Sequence, residues 1–438
     1  MGGDTGRPTT FRPSPPRSSA NQKPSGTPDP SPGRRPRRNR AAVAALARLT
    51  CAVLVVVQLH RPPPPPALTV ALPAVLTIPG TPPQLPWPAS GQAAIDVPGV
   101  GGLGTSGGGR PLPIGSVAKV MTAYLVLVHH PLTATSPGPE ITVGPADEAD
   151  YRARAGTGQS LLPVHAGERL TERQALVALL VPSANNIADL LARFDAGTTT
   201  GFVAAMNATA ARVGMTSTRY TDPSGLSDTT VSTAADQVRL AEQALRLPAF
   251  AAIVAMREAT LPGAGTLRNY NTLLGSGGVI GVKTGSTARA GGNLVFAARR
   301  QIAGRSISIV GAVLGQRVAA PPLVALTDAL AVSHRLLDAA ARAVGVVTVL
   351  PGGARAGLVR SADRPSTSVL TGPPLRLLGW AGLRVELRSR PRPIRAGTGV
   401  TSVGTLLATL GNQSAVVPLR LSAPLLGPSL RWRLLRGL

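Results

Sequence analysis

Of the 45 cationic side chains in this 438-residue chain, only Lys23, Lys119 and Lys283 are lysines; all the others are arginines. Arginine keeps its proton in a protein, whereas lysine can lose it and act as a base. Lys119 and Lys283 each lie close to hydroxyl side chains in segments apolar enough to fold. Ser116 stands three residues before Lys119 in Pro113-Ile114-Gly115-Ser116-Val117-Ala118-Lys119. On a helix that spacing puts both on one face, and a helix N-terminus beneath Ser116 offers free N–H groups and the positive end of the dipole. A hydroxyl attacks an amide only with a base in reach and donors for the oxyanion; this spacing supplies both. Taken alone, it also fits a helix cap followed by a solvated lysine.

Two further groups lie later in the chain. Ser183-Ala184-Asn185, after Pro182, is by itself also a common way to start a helix. Lys283-Thr284-Gly285-Ser286-Thr287 closes an apolar run that reads as a strand. A lysine there can offer charge to a carboxylate, and Gly285 lets a ligand backbone lie close. The three groups in this order, using both lysines of the folded part, are far more specific than any one of them.

On these residues the sequence resembles the penicillin-binding serine-lysine hydrolases. More closely, it is similar to the low-molecular-mass D-alanyl-D-alanine carboxypeptidases. The stretches Ile114–Tyr124, Asp222-Pro223-Ser224-Gly225-Leu226 and Gly281–Gly292 carry the likeness. It covers about residues 91–345, with a weaker match beyond. The resemblance implies an α/β fold, an antiparallel sheet flanked by helices. It also implies roles: Ser116 as nucleophile toward the bond between two terminal D-alanines, Lys119 as its base, and Ser183 as proton relay. Asn185 would hold the substrate amide, and Lys283 and Thr284 would meet the terminal carboxylate. The backbone N–H groups of Ser116 and Ser286 would form the oxyanion hole, and Arg317 falls where the family places a carboxylate-binding arginine. The substrate so implied is a peptidoglycan stem peptide, β-lactams would be covalent inhibitors, and no metal or other cofactor is called for.

Three rival readings stay open at this level. A Ser-His-Asp triad would draw on His60, His129, His130, His165 or His334, none of them beside a nucleophile-like serine in sequence. A β-lactamase on the same fold would need a deacylating carboxylate, for which Glu242 and Glu258 lie in the right interval. A non-catalytic cell-wall binder would be expected to have lost motif residues, and none is lost.

The elements that must position these groups are legible in part. Residues 1–40 are too poor in large apolar side chains to fold and read as a disordered basic arm. Residues 41–60 form an apolar segment long enough, at ~1.5 Å per residue, to cross ~30 Å of hydrocarbon. Basic residues before it predict export of the downstream chain. Arg48 within it would cost about 2.5–3.5 kcal/mol at a bilayer centre, so the segment is either an anchor or a cleaved signal. Residues 61–90, with Pro62–Pro66, read as a stiff linker.

From 91 to 345 a domain is expected, mostly helical at first. Its helices are 117–128, one capped by Thr171 with Gln174, 185–194, 202–213 ending at Gly214, and 233–245 capped by Ser232. Strands come next at 279–284, 293–299 and 306–314, then a long helix over 322–344. Gly99, Gly101 and Gly104 mimic a dinucleotide fingerprint, but more glycines and Pro111 stand where a helix is needed. Residues 346–438 alternate apolar and charged side chains at Leu383–Arg388 and Leu430–Leu434, the period of a small antiparallel β domain. Aromatic content of 3% leaves Ala, Val and Leu to build the cores. The formal net charge of +25 points to anionic surroundings. Nucleic acid is not expected, since no aromatic platform or zinc-ligand set accompanies the charge.

Overall fold

The computed structural model describes residues 37–396 and 401–437; the expected basic arm lies mostly outside them. The chain divides into two units, one built from residues up to Pro63 with Leu430–Leu438, the other from Pro64–Ser429. In the first unit, Arg37–His60 is one continuous helix. Its stretch Arg40–His60 is long and apolar enough to cross a membrane, and none of its apolar window is buried by protein. A short helix, Leu430–Leu435, lies by its end, where Gln58 Nε2 donates to the Arg436 carbonyl at 2.5 Å. The alternation at Leu430–Leu434 suggests a strand from sequence. No strand accepts it, and Leu430 and Leu434 also stand four apart, one helical turn.

The second unit is organised by a five-stranded antiparallel sheet. Its order is Val279–Thr287, Gly291–Ile302, Arg305–Gln316, Gln92–Val97 and Gly101–Ser106. The strand Gly291–Ile302 is buried along its first eight residues, because both faces of the sheet are covered. Val295, Ala297, Val310 and Ala312 pack into a helical core that includes Val117, Met121, Leu176, Leu191 and Phe250. On the other face Leu294, Phe296, Ile309 and Val313 meet Leu326, Ala329 and Leu337 of the helix Pro322–Ala343. Alternation with period two therefore splits one strand's apolar residues between two cores.

Most expected helices form within a few residues of their expected ends. Thr171 and Gln174 make the reciprocal cap, Gln174 N donating to Thr171 Oγ1 at 3.2 Å and Thr171 N to Gln174 Oε1 at 2.8 Å. The helix Ala234–Ala244 is capped by Thr233 rather than Ser232, with Asp236 N donating to Thr233 Oγ1 at 3.3 Å.

A seven-stranded sheet occupies most of 346–429. It runs Ala67–Val70, Arg355–Ser361, Arg364–Thr371, Gln413–Leu421, Ser402–Leu410, Arg384–Pro391 and Val75–Thr77. Its outermost strands come from residues 67–77, which their proline content marks as linker in the sequence. They are short edge strands, pairing Leu68 with Val359 and Leu76 with Val385, positions where nearby proline does no harm to the ladder.

Candidate active site

Gly115–Ala118 is one turn of 3₁₀ helix that runs into the α-helix Lys119–His129. With three residues per turn, a 3₁₀ segment eclipses side chains three apart, so Ser116 lies directly along from Lys119. Lys119 Nζ stands 2.8 Å from Ser116 Oγ, 2.7 Å from Asn185 Oδ1 and 2.9 Å from the Ser224 carbonyl. Lys119 is completely buried. Its pKa is held well below the usual lysine value, first by burial and then by the charge of Lys283, against the opposing pull of Asp222 and Asp189. Burying an ammonium costs several kcal/mol, more than a neutral amine does, so the neutral form is favoured.

The three contacts also fix where the lone pair points. A neutral amine has two N–H donors and one lone pair. The Asn185 oxygen and the Ser224 carbonyl can only accept, so they take both donors. The lone pair is left facing the Ser116 hydroxyl, the geometry a base needs.

Each partner is itself held. Asn185 Nδ2 donates to Gln159 Oε1 at 3.1 Å, which keeps the amide oxygen turned to Lys119. Ser224 belongs to a loop tied by Asp222. The Asp222 Oδ2 atom accepts from Ser224 Oγ at 2.7 Å and Leu226 N at 2.9 Å, while Oδ1 accepts from Thr230 Oγ1 at 2.5 Å. Thr122 Oγ1, a turn beyond Lys119, donates to the Pro223 carbonyl at 2.6 Å. Gly225 adopts φ +77°, and a Cβ there would stand 1.8 Å from the Gly115 carbonyl. The loop can press on the Ser116 turn only because that residue is glycine.

Ser183 sits between the helices Glu172–Leu180 and Asn185–Ala196 at φ 70°, a backbone region rare for serine. It is 4% exposed, and its hydroxyl has no hydrogen-bond partner among the described residues. Lys283 is 1% exposed, donates to the Thr284 carbonyl at 3.1 Å, and has its pKa pulled down to about 7 by burial. A Cβ on Gly285 would meet Ser116 N at 2.9 Å and Val117 N at 2.8 Å, so the Lys283 strand lies directly against the nucleophile turn.

These groups open on a cleft of about 610 Å³ lined by Ser116, Ser183, Asn185, Thr284, Gly285 and Ser286, among others. Arg317 is not with them. Its side chain is exposed and pairs with Asp328 of the helix Pro322–Ala343 at 2.5 Å. The left-handed backbone at Arg317, φ 46°, carries it off the strand end toward that carboxylate. Among the described residues, no histidine and no carboxylate lines the cleft. His129 Nδ1 is instead 2.9 Å from Asp195, and Glu242 is half-buried near Asp96, which raises its pKa. Residues not anticipated from sequence complete the site. Gln159 positions Asn185, the Ser224 carbonyl holds Lys119, and Ser160, Tyr270, Leu323 and Leu326 line the cleft. Gln159 and Ser160 lie in a loop without any motif. The Asp222–Leu226 stretch is visible in the sequence, but its contact with Lys119 is not.

Comparison with known proteins gives a consistent picture. Residues 107–316 match the family model for D-alanyl-D-alanine carboxypeptidases. The D-alanyl-D-alanine carboxypeptidase DacB2 of Mycobacterium tuberculosis is 37% identical over 195 residues, 43% of this chain and 62% of that protein. The D-alanyl-D-alanine carboxypeptidase of Streptomyces sp. strain K15 is 32% identical over 203 residues, 42% of this chain and 68% of that one. The fold of penicillin binding protein 5 from Haemophilus influenzae superposes with a TM-score of 0.55 at 22% identity, over 80% of this chain and 100% of that one. The chain thus spans less than two thirds of the mycobacterial relative's length.

Proposed function

This chain belongs to the D-alanyl-D-alanine carboxypeptidase family, and from that premise we propose that it removes the terminal D-alanine of peptidoglycan stem peptides through an acyl-enzyme on Ser116. One observation carries the reading. The buried Lys119 amine touches the Ser116 hydroxyl while its two other partners are pure acceptors.

The steps come from that geometry. Ser116 Oγ attacks the carbonyl carbon of the penultimate D-alanine as its proton passes to Lys119 Nζ. The backbone N–H groups of Ser116 and Ser286 hold the oxyanion. As the C–N bond breaks, the proton leaves Lys119 for the departing amine by way of the Ser183 hydroxyl, which no other group occupies among the described residues. Water then attacks the acyl carbon, giving a proton to Lys119, and as the ester bond to Ser116 breaks that proton passes from Lys119 to Ser116 Oγ. Lys283 and Thr284 meet the terminal carboxylate, with Arg317 taken up by Asp328. An incoming carboxylate raises the Lys283 pKa, and the resulting charge in turn keeps Lys119 neutral.

A β-lactamase reading lacks its deacylating carboxylate, since no Asp or Glu among the described residues lines the cleft. Slow release of a penicilloyl group is therefore expected. We also place the catalytic unit outside the cytoplasmic membrane, held by the helix Arg37–His60, because Arg37, Arg38 and Arg40 precede its apolar stretch.

The test is incubation of the full chain with a stem pentapeptide, followed by mass spectrometry. Loss of one alanine by the wild type, and none by Ser116→Ala, is expected. An intact pentapeptide with the wild type would overturn the reading.

A further inference from the structure

Arginine is spread along the whole chain, but acidic residues are not. Residues 91–345 hold 21 Lys and Arg against 16 Asp and Glu, whereas residues 346–429 hold ten Arg against Asp363 and Glu386 alone. A general drift toward arginine would act on both regions alike. What sets the second apart is the scarcity of counter-charge.

Register shows where those arginines point. On the strand Arg384–Pro391, Val385 and Leu387 face the core while Arg384, Arg388 and Arg390 are exposed. Arg390 pairs with Thr405, and Thr405 with Pro418, so the three share one face of the sheet. Arg420, two residues beyond Pro418, lies on that same face and pairs with Leu370, which pairs with Arg355. Arg390, Arg420 and Arg355 thus stand on alternate strands of five neighbours, a stripe ~19 Å wide at ~4.8 Å per strand. Arg384 and Arg388 extend it along one border. Between the strands lie Thr405, Leu407, Val416 and Pro418, with no aromatic ring, and Glu386, between Arg384 and Arg388 on the same face, is its one acid among the described residues. Arg355, Arg384, Arg390 and Arg420 have no acidic partner among the described residues, while Arg388 meets Glu386 at 3.3 Å.

We propose that this outward sheet face binds an extended polyanion whose phosphate or carboxylate groups repeat along its length. Guanidinium forks take oxyanions two oxygens at a time. A broad open face with spaced arginines suits a polymer better than a single small anion, and it offers nothing for bases to stack on. The inference is independent of the catalytic reading, since no residue of this face lines the cleft.

The test uses the full chain in nanodiscs of zwitterionic lipid. It is titrated with inorganic polyphosphate and, separately, with poly-L-glutamate, at about 50 and about 200 mM salt. Saturable, salt-weakened binding of at least one polymer is expected. The polymer bound more tightly tells whether phosphate or carboxylate is the natural group. The triple variant Arg388→Glu, Arg390→Glu, Arg420→Glu should lose at least tenfold in affinity and about three units of salt slope. The corresponding Gln variant should lose less, and it decides the matter if the Glu variant does not fold. Turnover of a soluble stem peptide should stay at the wild-type level in both. Two results would overturn the proposal: binding of neither polymer, or an equal loss on reversing Arg246, Arg299 and Arg305 of the catalytic region.

Discussion

The catalytic region and the β region handle positive charge in opposite ways. In the first, several arginines are matched by acids, as Arg154 is by Asp189 at 3.0 Å, Arg239 by Asp236 at 2.7 Å and Arg300 by Asp338 at 2.8 Å. Its two lysines are buried without an ion-pair partner among the described residues and pushed toward neutrality. In the second there is no lysine at all, and exposed arginines face solvent along one sheet. The residue types suit the tasks. A base must be able to shed its proton, which lysine does when desolvated; a surface meant to stay charged uses the side chain that never does.

Lys119→Arg brings the β region's kind of cation into the cleft, and it is the hardest blow to that division. Acylation of Ser116 by a fluorescent penicillin should fall by at least ~10³-fold, the scale of a lost general base, while the melting transition survives. Labelling at the wild-type rate would mean that Lys119 is not the base. A smaller effect is expected at Gln159. Gln159→Met removes the acceptor that holds the Asn185 amide and should lower kcat/KM about five- to tenfold, the worth of one hydrogen bond of ~1 kcal/mol. Gln159→Glu, which keeps the acceptor, should recover most of it, so loss in both variants alike would indicate packing instead.

The smallest effect concerns an acid of the catalytic region. Burial first, and then the neighbouring Asp96 carboxyl, raise the Glu242 pKa to about 8. Between about 4.5 and about 8 the folded state keeps a proton that the unfolded chain gives up, so stability falls as pH rises through that window. Glu242→Gln should therefore raise the melting temperature more at about pH 8 than at about pH 5, by a few degrees. A gain equal at both pH values would remove this carboxyl from the account.

How much is legible from sequence depends on the range of each signal. Ser116 with Lys119, Ser183 with Asn185, and Lys283 through Ser286 are visible because their chemistry depends on spacing of one to three residues. Gln159 and the Ser224 carbonyl are not. They reach the site from 26 residues before Asn185 and 105 residues after Lys119, and a backbone carbonyl leaves no mark in a sequence. The pairing of Arg317 with Asp328, reached through a left-handed turn, is likewise not visible in the sequence. The strands at 67–77 are hidden by proline, which bars a central strand but not an edge. The sheet Val279–Gln316 is easy to see, its long apolar runs bounded by glycine-rich turns.

The protonation state of Lys119 can be read directly. With only three lysines in the chain, selective ¹³Cε-lysine labelling gives three resonances, assignable by single Lys→Arg changes. A pH titration should show the Lys119 signal shifting well below the ordinary lysine range of ~10.4 and the Lys283 signal near about 7. Titration of both at the ordinary value would contradict the idea that a neutral amine stands ready beside the Ser116 hydroxyl.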